Sequence, residues 1–229
     1  MHECKICRSK NISKQDKLYL CKSCQHGYRV YDGDIVDFHK KDYRNLHRRD
    51  GKEFSNNKVT HFFHDARKEI VNKRINHVKN YLNKSDTVLD IGSGAGTFAK
   101  IINPLVHRVD CLELDPRLID ESRRLGFKTF DQNFLTQPFD EKYQTVFAWH
   151  VLEHVDDIHS FVQKCKAISN KYTIIEVPTN RQPSKKFEGH LHYFSLRSLE
   201  TIFESHGFNT ISISDGVQKP SILGVFQSK

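Results

Sequence analysis

The chain has 229 residues, of which 37% are hydrophobic and 28% are charged, and its formal net charge is +8. This length allows one large domain and a small additional segment, and the hydrophobic share is enough to bury a core. No apolar run reaches the ~18 residues that a membrane-spanning helix needs, and the first residues do not resemble a signal peptide, so we expect a cytoplasmic protein. The positive charge favours acidic partners, either nucleic acid or phosphorylated small molecules.

Four of the six cysteines lie near the N-terminus as two CxxC pairs, Cys4 with Cys7 and Cys21 with Cys24. Two such pairs on tight turns, separated by a short hairpin, are typical of four thiolates around one zinc ion. Four thiolates leave no open coordination position. We therefore predict a structural zinc in a ribbon at 1–38, a segment too small to fold alone. Two disulfides are the alternative, which a reducing cytosol disfavours.

Two segments follow the ribbon, a basic stretch and then an amphipathic one. The stretch 39–57 is polar and basic. It is interpreted either as a flexible lid that contacts an anionic substrate or as a solvated linker, which a run of charges usually is. The main domain is predicted at 58–229. Apolar residues recur every three to five positions from Val59 to Asn83, and this spacing predicts an amphipathic helix that packs on a sheet.

A buried strand near the middle of the chain runs straight into a glycine-rich turn. The strand is Thr87–Ile91, the turn is Gly92–Gly96, and a helix starts at Thr97. Such a turn is typical of a nucleotide-type site, although a tight turn without a ligand is the alternative. A dinucleotide fingerprint needs its third glycine where Thr97 stands, and the carboxylate of Asp90 would repel a pyrophosphate. A ligand with a cationic amino group and no phosphate fits this turn better.

Strands and helices alternate after the turn. We predict strands at 108–114, 128–130, 145–149 and 172–177, helices at 116–125, 156–168 and 195–206, and a final hairpin at 210–227. This alternation predicts an α/β fold: a Rossmann-like, seven-stranded, mostly parallel sheet with helices on both faces and an antiparallel last strand. The ligand crevice is expected at the carboxyl ends of the strands, beside the first strand of this sheet.

Four motifs occur in the order that they have in the class I S-adenosylmethionine-dependent methyltransferases, which the stretch from about Val71 to Phe226 resembles. They are Leu89–Gly96, Cys111–Pro116, Trp149–Val155 and Gly189–Ser195, the last followed by Leu199 and Gly207. The resemblance implies an enzyme that binds S-adenosylmethionine as its methyl donor, a ligand with the cationic group that the glycine turn favours. N-terminal zinc ribbons also occur in methyltransferases of sugars, natural products and ribosomal RNA, so the ribbon does not select a substrate.

The resemblance also implies which residues bind the donor. Glu113 stands where the family has the acidic residue that holds the ribose hydroxyls. Asn133 replaces the usual aspartate that accepts the adenine amino group, and an amide carbonyl can accept the same hydrogen bond. Phe134 is assigned either to adenine or to the core. The full set of predicted donor-binding residues is Asp90, Gly92, Ser93, Gly94, Gly96, Glu113, Leu114, Asn133, Phe134 and Trp149.

Methyl transfer is an in-line displacement, so alignment of the reactants provides much of the acceleration. A general base is needed only where the acceptor must lose a proton, as a hydroxyl does. The candidates for a catalytic role are His154, His190 and His150, which follow the fourth and fifth strands of the predicted domain. The alternative is that these histidines are structural. The fourth strand is not followed by the DPPY-like tetrad of enzymes that methylate DNA adenine or protein glutamine.

The favoured hypothesis is methyl transfer to a hydroxyl or carbon of a small molecule, a glycan or a sugar nucleotide, with no membrane partner. An RNA base methyltransferase is the alternative, in which the ribbon and the basic stretch at 39–57 hold the RNA strand. A third hypothesis is a non-catalytic scaffold that retains the donor pocket. The cofactors expected are S-adenosylmethionine and one structural zinc ion.

Overall fold

The computed structural model describes residues 3–15, 18–30, 56–179, 189–218 and 220–229, with side chains from Arg67 onward in the helix that begins at Asn56. The predicted linker or lid at 39–57 lies outside these residues, apart from its last two positions. None of the helices in these ranges is both long and apolar enough to cross a bilayer.

The described residues form two sheets, and the larger one has seven strands. In chain order they are β4 (Thr87–Ile91), β5 (Arg108–Leu112), β6 (Lys128–Phe130), β7 (Tyr143–Trp149), β8 (Ser169–Pro178), β10 (Phe208–Asp215) and β11 (Ser221–Ser228). Their spatial order is β10-β11-β8-β7-β4-β5-β6. The α-helices in chain order are α1 (Asn56–Val78), α2 (Thr97–Ile102), α3 (Pro116–Arg124), α4 (Ile158–Ile168) and α5 (Leu196–Ser205).

The topology of this sheet confirms the predicted fold. Strand β4 pairs in parallel with both β5 and β7, so the chain leaves β4 towards one edge and returns to build the other. That reversal is a topological switch point, where open α/β sheets bind their ligands. The last strand, β11, lies antiparallel between β8 and β10. The Rossmann-like, seven-stranded, mostly parallel sheet is therefore correct, including its antiparallel last strand.

Two apolar layers bury the faces of the sheet. On one face, Phe98 of α2 meets Phe147 and Trp149 of β7 with ring centroids 5.0 and 4.9 Å apart. On the other face, Phe161 of α4 and Leu199 of α5 pack in one cluster with the strand residues. Helices therefore cover both faces, which is why β4, β5 and β7 are almost wholly buried.

The second strand of this sheet is shorter than predicted, since β5 ends at Leu112 and not at Leu114. The chain turns there because the side chain of Glu113 accepts hydrogen bonds from the next two backbone N–H groups, those of Leu114 and Asp115. A carboxylate that binds its own backbone in this way favours a turn over continued strand pairing. The early end of β5 is thus a direct effect of a predicted site residue.

The N-terminal ribbon is joined to the main domain by a shared sheet. Its strands β1 (Ile12–Gln15), β2 (Leu18–Cys21) and β3 (Gly27–Arg29) form a meander, and β9 (His192–Tyr193) pairs with β3 as the fourth strand. Strand β9 comes from the later part of the chain. The predicted boundaries at 1–38 and 58–229 remain predictions, but the ribbon sheet takes one of its strands from outside the first of them.

Helix α1 has a buried face that differs from the purely apolar one expected. Val71 and Val78 are buried as part of the apolar layer against the sheet, but Arg74 between them is also only 7% exposed. Ile75, one of the expected apolar positions, is only half-buried. A buried arginine requires a partner, and this one is found on the sheet, as described below.

Candidate active site

The glycine turn after β4 has a conformation that glycine adopts far more readily than other residues. Gly92, Gly94 and Gly96 have φ values of +66°, +58° and +76°. A Cβ atom on Gly92 would lie 2.5 Å from Cγ2 of Val151, so a side chain there would collide with the segment that follows β7. The turn therefore packs directly against this segment, and the two form neighbouring walls of the crevice at the switch point.

Glu113 lies at the end of β5 and faces the same turn. Its Oε2 accepts a hydrogen bond from the backbone N–H of Gly94 at 2.9 Å, and its Oε1 accepts from those of Leu114 and Asp115 at 2.6 and 3.0 Å. Burial raises the pKa of Glu113, and these three bonds oppose the rise by favouring the charged form. A carboxylate has about four acceptor sites, so one remains for a ligand hydroxyl.

Asp90, in β4, is 1% exposed. Neither of its carboxylate oxygens has a hydrogen-bond donor within reach in the described part of the chain. Burial raises its pKa to about 8, while the nearby charge of Arg74 opposes that rise. A buried carboxylate without donors is costly to the fold. It is the kind of group that a cationic ligand would satisfy, which fits the amino group expected from the sequence.

Arg74 and Glu176 form a buried ion pair that the sequence did not indicate. Nε of Arg74 donates to Oε2 of Glu176 at 2.7 Å, and both side chains are almost fully buried. The guanidinium also lies 4.7 Å from the ring centroid of Trp149. Glu176 accepts further hydrogen bonds from Ser221 and from the backbone of Gln218. The pair thus ties α1 to β8 beneath the crevice and brings a positive charge close to Asp90.

The other predicted donor-binding residues are placed differently from one another. Ser93, within the turn, and Leu114, just after β5, are both half-buried. The side-chain oxygen of Asn133 accepts from the backbone N–H of Leu135 at 2.9 Å, so it serves its own loop. Phe134 is 5% exposed and lies 4.8 Å from the ring of Phe161, which places it in the core.

Of the three candidate histidines, His150 has the least suitable state for a base. It has a φ of +58°, which is uncommon for a residue other than glycine. Burial disfavours a charge on its ring, but Nδ1 lies 3.1 Å from Oε1 of Glu153 and Nε2 lies 3.8 Å from Glu176. These carboxylates outweigh burial and raise the pKa of His150 to about 9. At neutral pH the ring is therefore a cation with no lone pair to accept a proton.

His154, in the 3-10 turn that follows β7, lies next to His190. Their rings meet edge to face with centroids 4.7 Å apart. Burial lowers the pKa of His154 to about 4, so its ring is neutral near pH 7. Nδ1 of His154 lies 2.8 Å from the backbone oxygen of Gly189 and must carry the proton of that hydrogen bond. Nε2 is consequently the nitrogen with the lone pair.

The four N-terminal cysteines converge as expected from their spacing. All four Sγ atoms lie within 4.8 Å of one another, with 3.5 Å between Cys4 and Cys24 and 3.6 Å between Cys7 and Cys21. Thiolates that share a tetrahedral zinc at about 2.3 Å lie about 3.8 Å apart, whereas disulfide sulfurs lie about 2.05 Å apart. The cluster therefore has the dimensions of a zinc site and not those of two disulfides.

The two CxxC turns share two features. Backbone N–H groups donate to sulfur in both, from Ile6 to Cys4 at 3.4 Å and from Cys24 to Cys21 at 3.5 Å. The residue after each pair, Arg8 or Gln25, has a φ near +60°. Amide donors aimed at sulfur stabilise thiolates, so both turns are arranged for metal ligation.

The comparisons with known proteins agree with this fold and site. The family described as "methyltransferase domain" matches residues 62–213, which is more than half of the chain. The chain belongs to this family, and the resemblance to class I S-adenosylmethionine-dependent methyltransferases is confirmed.

One curated relative is the C-methyltransferase NovU of Streptomyces niveus, which is 26% identical over 146 residues. That match covers 58% of this chain but only 35% of NovU, so the chain aligns with about a third of the relative's length.

Solved structures show the same fold at low sequence identity. The DhpI–SAH complex has a TM-score of 0.62 at 18% identity, covering 85% of this chain and 97% of that one. The complex between the Haloferax volcanii Trm112 methyltransferase activator and a methyltransferase has a TM-score of 0.63 at 12% identity, covering 78% and 99%.

Proposed function

We propose that this protein transfers a methyl group from S-adenosylmethionine to an oxygen or carbon of a small molecule. The observation that carries the proposal is the pair of carboxylates at the glycine turn. Asp90 is buried with no donor in reach among the described residues, and Glu113 is fixed by three backbone N–H groups. The donor carries a cationic amino group, which matches Asp90 in charge, and ribose hydroxyls, one of which can donate to the remaining acceptor site of Glu113.

Each wall of the crevice has a separate task in this proposal. When bound, S-adenosylmethionine supplies a methyl group activated by its sulfonium. Asp90 attracts the amino group, and the remaining acceptor site of Glu113 holds a ribose hydroxyl. Gly92 lets the turn approach Val151, which brings the donor wall against the wall that contains His154. This approach sets the alignment on which an in-line displacement depends.

The acceptor class follows from what lies on the opposite wall. His154, whose ring is neutral, lies there against the ring of His190, and His150 is held as a cation by Glu153 and Glu176. Such a compact polar wall suits a small acceptor with oxygen functions, and a curated C-methyltransferase is among the relatives. An RNA base is the alternative acceptor, which the net charge of +8 favours.

We further propose that Cys4, Cys7, Cys21 and Cys24 hold a structural zinc ion. The sulfur separations and the amide donors to sulfur support this assignment. With four thiolates the zinc would have no open position, so its contribution is to the fold. Because β3 of the ribbon pairs with β9, that contribution extends to the segment around His190.

Calorimetry with S-adenosylhomocysteine tests the donor site. The wild-type protein should bind it, and Asp90→Asn and Glu113→Gln should each weaken binding by about tenfold or more, the cost of a lost charge-assisted hydrogen bond. Glu141→Gln is the matched control, since this exposed glutamate lies far along the sheet from the turn and pairs with Arg108. A wild-type protein without measurable binding would overturn the proposal.

Transfer of tritium from labelled donor identifies the acceptor. The protein is incubated in parallel with a metabolite extract and with total RNA. Label in the small-molecule fraction is expected. Label in RNA alone would overturn the small-molecule assignment in favour of the alternative, and donor binding with no transfer to either pool would favour a scaffold.

A further inference from the structure

A second group of potential metal ligands lies on the acceptor wall. One ligand atom from each of Glu153, His154 and His190 lies within 4.8 Å of the others. Glu153 and His154 belong to the 3-10 turn Leu152–His154 that follows β7, and His190 precedes β9. We propose that these three side chains bind a divalent metal ion.

Glu153 gives the strongest support, because it is fully buried and only half satisfied. Its Oε1 lies 3.1 Å from Nδ1 of His150. Its Oε2 is buried too, yet no hydrogen-bond donor in the described parts of the chain reaches it. An unpaired carboxylate oxygen in the interior costs the fold free energy, and that cost is offset when a cation binds there.

The hydrogen bonding of His154 orients its ring as a metal ligand. Nδ1 donates to the backbone oxygen of Gly189 at 2.8 Å, which leaves the lone pair on Nε2. Nε2 lies 3.9 Å from Oε1 of Glu153, a separation that two ligands of one metal ion can adopt. A ligating histidine usually donates its other N–H to a backbone carbonyl or a carboxylate in this way, which fixes the tautomer.

The position of His190 is fixed by two backbone hydrogen bonds of its neighbour Leu191. Leu191 donates its N–H to the backbone oxygen of Glu153 at 2.8 Å, and its own backbone oxygen accepts from Arg29 of the ribbon at 2.8 Å. The residue that supplies the third ligand is therefore held between the 3-10 turn and β3. This cluster is assembled by the fold and not by adjacency in the sequence.

The ligand set indicates the class of metal. Two imidazoles and one carboxylate suit first-row divalent ions such as Mn²⁺, Fe²⁺, Co²⁺, Ni²⁺ and Zn²⁺. Three protein ligands leave coordination positions open, which is typical of catalytic and not of structural sites. Those positions would take an acceptor through a hydroxyl or carboxylate oxygen. In the loaded protein Nε2 of His154 would be a ligand, and His154 would then not serve as a base.

The link to the acceptor rests on the proposed methyl transfer, but the cation site does not. Mn²⁺ alone is a suitable probe because it prefers oxygen and imidazole ligands to the thiolates of the cysteine cluster. The protein is purified with its ribbon intact and freed of loosely bound metal. Mn²⁺ is then titrated while the electron paramagnetic resonance signal of the free ion is followed.

We expect saturable binding of one Mn²⁺ per chain. Glu153→Gln and His190→Gln should each weaken it by about tenfold or more. His107→Gln, which changes an exposed histidine far from the cluster, should not change it. Calorimetry with S-adenosylhomocysteine on the same samples shows whether each variant still folds, and His190→Gln decides the matter if Glu153→Gln does not.

Two results would overturn the proposal. The first is a wild-type protein that binds S-adenosylhomocysteine but takes up no Mn²⁺. The second is Mn²⁺ binding that persists unchanged in folded Glu153→Gln and His190→Gln variants. A protein that binds Mn²⁺ at this cluster but not S-adenosylhomocysteine would leave the cation site standing and remove the proposed function, so the two failures are distinguishable.

Discussion

The cysteine cluster and the crevice beside the glycine turn both bury ionisable side chains, but they satisfy them differently. In the cluster the sulfurs face one another, and backbone N–H groups donate to Cys4 and Cys21. In the crevice, Asp90 and Oε2 of Glu153 have no donor in reach among the described residues. The ionisable groups of the cysteine cluster are directed at one another, whereas those of the crevice keep hydrogen-bonding capacity for a ligand at a cost in stability. Buried carboxylate oxygens without hydrogen-bond donors thus mark the places where ligands are expected to bind.

The largest effect on stability should come from removing one cysteine of the cluster. Cys4→Ser removes one of four thiolates, and we expect it to lower the free energy of unfolding by about 4 kcal/mol or more, because metal binding and folding of such ribbons are coupled. Metal analysis and denaturant unfolding measure the two effects. Methyl transfer should fall more than donor affinity does, since β3 holds β9 next to His190.

Cys165→Ala is the matched control for that experiment. Cys165 is a buried thiol in the apolar core, and it is not part of the cluster. This variant should be destabilised by the cavity that it creates, yet it should keep its zinc. Equal zinc content in Cys4→Ser and the wild-type protein would show that the cluster does not hold the metal.

The next effect concerns the ion pair beneath the crevice. Arg74→Met leaves Glu176 buried without its guanidinium partner, and we expect a loss of about 3 kcal/mol in the free energy of unfolding. Lys73→Met is the matched control, because the neighbouring Lys73 pairs with Glu69 at the exposed surface and such pairs contribute little. Denaturant unfolding compares the two, and equal losses would mean that the buried pair is not structural.

A smaller effect of opposite sign is expected from Asp90→Asn. Burial raises the pKa of Asp90 to about 8, so the folded state binds a proton more tightly than the unfolded state does. The stability contributed by the protonated form is complete below the unfolded pKa near 4 and is lost as pH rises through about 8. Asparagine does not ionise. The variant should therefore be more stable than the wild type by about 1 to 3 kcal/mol at pH 8.

The pH dependence separates this explanation from a general packing effect. The stability difference between Asp90→Asn and the wild type should grow from pH 5 to pH 8, as measured by denaturant unfolding at several pH values. The same variant should lose donor affinity in calorimetry. A difference that is constant across this range would contradict the raised pKa.

The sequence predicted the parts of the molecule that depend on local spacing. Residue spacing alone predicts the two CxxC turns, the glycine turn and the alternation of strands and helices. The seven-stranded sheet, which the structure confirms, follows from that alternation. Strand ends were less predictable. Strand β5 ends early because Glu113 binds the backbone beyond it, which is a side-chain effect with no periodic signal.

The contacts inside the crevice required the fold. Arg74 lies on α1 and Glu176 on β8, so only three-dimensional packing shows that they pair. In the sequence, Arg74 is one of several charged residues in the amphipathic segment, and nothing in the spacing marks it as buried. Glu153 lies within one of the four motifs, yet its burial and its proximity to His190 result from the return of the chain through β9. The roles of His154 and His190 remain predictions, because they depend on the ligand that binds and not on the positions of the two rings.

The smallest effect on stability is expected in the cysteine cluster, at the residue that follows the first CxxC pair. Arg8 has a φ of +58°, which costs a residue with a Cβ atom about 1 kcal/mol relative to glycine. Arg8→Gly should therefore stabilise the protein, by about 0.5 kcal/mol after the entropy of a more flexible unfolded chain is counted. Arg8→Ala loses the same exposed ion pair with Glu3 but keeps the Cβ atom, so it should not stabilise. Equal stability of the two variants in thermal unfolding would show that the turn is not strained. The cysteine cluster would then form without the backbone strain that this φ value implies.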